Sequence, residues 1–174
     1  MSEAELVASR CGDGVTRLDG DWGEMLHALN ALGEVMALTR NEHCVHEKHG
    51  VYDRVFIGPG HGLVLNHDID LRLFLSHWHF AFAVAEQVKS GLCHSLQFFD
   101  IDGTAVHKVC VTEKSDKSAY DAVVARFRAA GHSPELAVTP LPAPRADRPD
   151  GDIDTAISIS TGARFRTRTT SSAC

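Results

Sequence analysis

Apolar positions along this chain change period twice. Trp22, Met25, Leu26, Leu29 and Leu32 fall at helical spacing behind Asp21, a good N-cap, and Gly33 supplies the stop. A shorter helix is predicted ahead of it, from the capping-box pair Ser2 and Glu5 to about Ser9. From Glu34 to Thr112 the period drops to two. Gly, Asn and Asp turns divide that run into strands over 34–40, 43–48, 51–57, 62–66, 70–76, 79–86 and 94–111. The last splits into a hairpin at Asp100-Ile-Asp-Gly103, where Gly103 suits a left-handed turn position. Helical spacing returns at Tyr120, Val123, Val124 and Phe127, capped by Ser115 or Asp116 and stopped at Gly131. The links between strands are too short for parallel crossovers. The pattern therefore predicts an α+β domain over residues 1–136, a large, mainly antiparallel β-sheet with flanking helices.

Beyond it, five of the six prolines fall between Pro134 and Pro149, and Ser158 to Cys174 is rich in Ser, Thr and Arg without a sustained period. Residues 137–174 are expected to be a Pro-rich linker and a disordered tail. A length of 174 residues with 44% hydrophobic content suits one core. The net charge of −6 supplies no clustered basic face, so neither nucleic acid nor an anionic membrane surface is an expected partner. No run approaches the roughly 20 apolar residues of a membrane span. The N-terminus is acidic where a secretory signal is basic and then apolar, so a cytoplasmic protein is expected. Five cysteines without a C-x-x-C pair read as reduced, mostly buried thiols.

Eleven histidines are many for this length and direct attention to metal or haem chemistry. His43 and His46 fall on one predicted strand, His77 and His79 on another, and His107 on the hairpin. Two residues apart on a strand, His77 and His79 would share a face and could clamp a divalent ion, although no third ligand is nominated. His46-Glu-Lys-His49 is too closely spaced for a zinc-protease helix, and Gly58-Pro-Gly60-His-Gly62 lacks the Lys and the helix of a phosphate cradle, so it reads as a hairpin loop. Arg72 alternates with Leu71 and Leu73 and shares a face with Asp70 and Phe74. It either pairs with Asp70 or points into a ligand cleft.

Several blocks together resemble one family. They are Leu32-Gly-Glu-Val35, Thr39-Arg-Asn41, Val45-His-Glu47, Leu63-Val-Leu-Asn66, Asp70-Leu-Arg-Leu-Phe-Leu75 with Trp78, and Phe98-Phe-Asp to Val106-His-Lys-Val109. The chain is similar to the HemS/ChuX-like cytosolic haem-utilisation proteins, and to the N-terminal half only of HemS-type members, which look like tandem duplications holding haem between the halves. The resemblance implies that Arg72 matches the arginine over the distal face of haem, on a strand forming one side of a porphyrin-sized cleft. The proximal histidine of the family lies early in the second half, whereas Asp154 to Arg168 here holds no histidine, as a truncation or altered reading frame would produce. His46 is then the expected substitute axial ligand, with Phe74 and Lys48 completing the cofactor-binding set. ChuX-type members pair single-unit chains, which implies a homodimer. The resulting expectation is a haem-binding or haem-trafficking domain, weakened by loss of the second half, with haem-uptake proteins as partners. No turnover is expected from this chain alone, although the family includes haem-degrading members. Two alternatives stand beside it: a ligand-free, self-associating remnant, and a divalent-metal binder using His77 and His79.

Overall fold

Local hydrogen bonding starts each helix where the sequence places it. The computed structural model describes residues 1–143 apart from 42, 90 and 132. The expectations for the tail from residue 144 onward, Asp154 to Arg168 included, lie outside the described residues. In α1 (Glu3–Ala8) the Ser2 hydroxyl accepts from the Glu5 amide while the Glu5 carboxylate accepts from the Ser2 amide, the reciprocal capping box. Asp21 caps α2 (Trp22–Ala28), which tightens into a 3-10 turn over Leu29–Leu32 and stops at Gly33, whose φ of 68° favours glycine. Asp116 caps α3 (Lys117–Phe127) by accepting from the Ser118 and Ala119 amides. This helix ends before the expected Gly131 because Arg128 turns extended and the Ala129 amide donates to the Arg17 carbonyl.

Nine strands occur among the described residues: β1 (Val15–Leu18), β2 (Gly33–Arg40), β3 (Val45–Gly50), β4 (Val55–Gly58), β5 (His61–Leu65), β6 (Asp70–Leu73), β7 (Phe80–Val88), β8 (Gly91–Phe99) and β9 (Ala105–Ser115). All pair antiparallel, as expected, but in two sheets rather than one. The larger has the order β1-β7-β8-β9-β2-β3 and the smaller β4-β5-β6. The sheets separate after β3, at Val51–Arg54, which the alternation had assigned to a strand. There the Asn66 amide group donates to the Val51 carbonyl and to the Asp53 carboxylate, satisfying backbone that a ladder would otherwise pair. Gly50 makes the crossing possible, since a Cβ there would stand 2.7 Å from the Ile69 side chain.

The main core fills one face of the larger sheet. Met25, Leu26, Leu29, Leu32, Tyr120 and Phe127 from the helical layer meet Leu96, Phe98 and Val109 of that sheet, with Val64, Leu71 and Leu73 of the smaller sheet closing the side. A second cluster, Ala4, Ala8, Val15, Phe82, Val84 and Phe99, lies under α1 on the opposite face. The contact-defined unit runs from Met1 to Leu141. Of the four thiols among the described residues, only Cys110 is buried, and burial pushes it up to about 11; Cys11 and Cys93 are half-buried and Cys44 is exposed, which corrects the expectation of mostly buried cysteines for these four.

Candidate functional site

Register on the smaller sheet decides which side chains share a face. Val55, Val64 and Leu71 form one cross-strand row, and Ile57, Gly62 and Leu73 another, both on the side facing α2 and the core, where Ile57 at the edge stays 43% exposed. Phe56, Leu63 and Arg72 form the row between them on the outward face. Gly58 with His61 flanks it at one end and Leu65 with Asp70 at the other. Phe74 follows β6 on the same alternation. Phe56 is 57% exposed, Phe74 59% and Leu65 39%. Singly such residues need no explanation, but a contiguous apolar face beside a guanidinium marks a contact surface. Three strands wide and three rows long, the platform measures roughly 10 by 13 Å from standard strand spacings.

Arg72 stands exposed on this platform, and among the described residues no ion pair joins it to Asp70 or to any other carboxylate. The resemblance implied one side of a cleft at Arg72, and within this unit the strand presents a single side. Arg72 lines neither the groove beside Leu92–His94 and Thr112–Lys117 nor the one between β1 and α3. The outward face of β4-β5-β6 is an open wall among the described residues, with Phe56, Leu65, Arg72 and Phe74 all exposed on it.

The structure brings Arg72 and Phe74 together but not His46 and Lys48. Those two lie exposed on β3, the edge of the larger sheet, opposite Thr39 and Ala37. No hydrogen bond or ion pair among the described residues connects them to Arg72 or Phe74. The cross-strand row Leu18, Ala81, Phe98, His107, Thr39, His46 runs through all six strands, so His46 is the outer end of a row whose centre is core. His107 is in that centre, 2% exposed, stacked on Trp78 with ring centroids 5.7 Å apart, and its Nε2 shares a 2.8 Å hydrogen bond with the Tyr52 hydroxyl. Burial pulls its imidazole down to about 4, with the Leu38 backbone opposing. Nδ1 nevertheless completes no hydrogen bond of good geometry. It is a neutral core residue that no external ligand reaches. His43 lies in the Asn41–Cys44 turn, its amide donating to the Asn41 side chain.

His77 and His79 are not on one strand. His77 ends a 3-10 turn, Leu75–His77, and His79 precedes β7. They converge on Asp100, which is 7% exposed: Nδ1 of His77 is 2.9 Å and Nδ1 of His79 3.4 Å from its carboxylate oxygens. His77 is hydrogen-bonded to that carboxylate and His79 lies within ion-pair distance of it, and no group of three side chains able to hold a metal ion occurs among the described residues. What the sequence reading missed on the Arg72 face is Phe56, His61, Leu63 and Leu65. Their alternation was visible, and only the pairing of three strands shows that they adjoin Arg72.

The same fold occurs in characterised proteins. Residues 1–127 match the model of the haemin-degrading HemS/ChuX domain. The chain is 46% identical over 150 residues to the hemin transport protein HemS of Yersinia enterocolitica, covering 86% of this chain and 43% of that one. Holo-PhuS, a heme-binding protein from Pseudomonas aeruginosa, superposes with a TM-score of 0.85 at 48% identity, over 94% of this chain and 48% of PhuS. ChuS, an E. coli heme oxygenase, superposes with a TM-score of 0.75 at 32% identity, over 99% of this chain and 49% of ChuS. The chain thus spans less than half the length of each of these three relatives. On the extent and level of that identity, it belongs to the HemS/ChuX family.

Proposed function

We propose that this chain is a cytoplasmic haem-binding unit in haem-iron traffic, and that ferric porphyrin rests on the outward face of β4-β5-β6. The observation that carries this reading is the outward row of exposed Phe56, half-buried Leu63 and exposed Arg72 with exposed Phe74 beside it, in a chain whose relatives are described as heme-binding and hemin transport proteins. Haem asks for an apolar surface for the macrocycle, a cation for its negative groups and a donor for iron. Phe56, Leu63 and Phe74 meet the first need, since covering them removes apolar area from water at about 25 cal/mol per Å². The unpaired, planar guanidinium of Arg72 meets the second, because its fork matches a carboxylate. His46 and Lys48 are not part of this platform. The reading assigns carriage rather than turnover, with haem-uptake proteins as the partners that deliver or receive the ligand. A second copy laid against the open wall would supply the facing side of the slot.

Hemin titration tests it. A saturable shift of the Soret band is expected, with Arg72→Ala and Phe74→Ala each weakening binding roughly tenfold, about 1.4 kcal/mol. Absence of any saturable shift in the wild-type chain overturns the assignment. Sedimentation with and without hemin reads the proposed pairing.

A further inference from the structure

The iron donor is the need that Arg72 and the apolar row leave unmet, and one imidazole lies on their face. His61 opens β5 with its side chain on the same side as Leu63 and Leu65. Extending the Gly62–Leu73 register by one residue sets Phe74 across from it. Its strand partner on the other side, Gly58, has no side chain, and the ring lies in the space this leaves: a Cβ on Gly58 would stand 2.6 Å from His61 Cε1 and 2.8 Å from Nε2. Nδ1 of His61 is 3.2 Å from the Pro59 carbonyl oxygen. A carbonyl only accepts, so Nδ1 carries the proton and Nε2 carries the lone pair. Committing one ring nitrogen to a backbone carbonyl is how proteins orient an imidazole toward a metal with the other. His61 is half-buried, and its Nε2 has no hydrogen-bond partner among the described residues.

We propose that Nε2 of His61 is this unit's own donor to the iron of a porphyrin resting on the platform, with Arg72, one row along, pairing a porphyrin carboxylate. This rests on the haem-binding reading above and adds the ligating atom. It replaces His46, which the fold places on the other sheet.

Optical and electron paramagnetic resonance spectra of the full chain with added hemin distinguish the two levels. Wild type is expected to give a histidine-ligated ferric spectrum. His61→Ala is expected to lose that signature and weaken binding roughly tenfold or more, and millimolar free imidazole to restore the signature by entering the vacated space. Gly58→Ala, which crowds the ring without removing it, is expected to perturb the same spectrum and guards against misfolding of a single variant. If wild type binds hemin and His61→Ala gives an unchanged spectrum, or loses it without rescue by imidazole, the ligand assignment falls while the haem reading stands. If wild type shows no saturable binding, both fall.

Discussion

At the scale of residues, the buried pair Tyr52 and His107 makes a prediction about pH. Desolvation disfavours the charged imidazole, which is why His107 is held at about 4 while the unfolded chain's histidine titrates near 6.5. Between those values the unfolded chain binds a proton that the folded chain refuses. Stability is therefore whole above about pH 6.5 and declines as pH falls toward about 4. Between pH 7 and pH 5 the loss attributable to this residue is about 2 kcal/mol. His94, lowered first by burial and then by Lys117, acts in the same direction. The double variant His107→Phe/Tyr52→Phe removes both polar groups together and leaves no orphaned hydroxyl. Its urea midpoint is expected to change less between those pH values than that of wild type; equal slopes would show that His107 is not the group responsible. The sequence had offered His107 as an iron donor because alternation tells which residues share a face without telling which face is core. Only the row through Phe98 and Thr39 turns it inward.

At the scale of elements, the caps were legible and the partition into sheets was not. Ser2, Asp21 and Asp116 start their helices because a short oxygen-bearing side chain within reach of free amides is a local matter. β1 escaped notice because its four residues, Val-Thr-Arg-Leu, bury only their ends, and a strand that short is defined by its pairing with β7. The smaller sheet was hidden for a related reason: β3 and β4 alternate alike, and the break between them depends on Asn66 and Ile69, far along the chain. One long-range dependence can be measured. Gly103, at φ 82° in the β8–β9 turn, has its carbonyl accepting from the Ala4 amide, and a Cβ there would meet the Ser2 hydroxyl and stand 2.6 Å from Ser2 Cβ. Gly103→Ala is expected to cost about 1–2 kcal/mol for the left-handed backbone and to displace the capping box as well. Ser2→Ala alone is expected to cost about 1 kcal/mol. In the Gly103→Ala background the Ser2→Ala cost should shrink, because the cap is already disturbed. Simple additivity in chemical denaturation would show that the two ends do not communicate.

At the scale of the whole molecule, the candidate site was half legible. Arg72 lies on β6 and Phe74 directly after it, so period two placed them together, and the family blocks drew attention to that segment. The remainder of the platform comes from Phe56 on β4 and His61, Leu63 and Leu65 on β5, and no local pattern announces that three short strands pair. His46 and Lys48 failed to join it because they alternate on the opposite sheet's edge. The same two-sided construction divides the stability of the fold. The main core joins both sheets, α2 and α3, whereas the cluster under α1 rests on Ala4 and Ala8 of a six-residue helix at the chain's start. A helix that short contributes little by itself and depends on its cap and its two buried alanines. Opening it leaves the central strands β7, β8 and β9 covered on their other face. Native-state hydrogen exchange should therefore show α1 amides exchanging through a local opening that scarcely responds to low denaturant. Amides of β8, at the middle of the larger sheet, should exchange only by global unfolding, about a hundredfold or more slower. If α1 and β8 amides share one opening free energy and one denaturant dependence, the two clusters form a single cooperative core and the helix is integral to it.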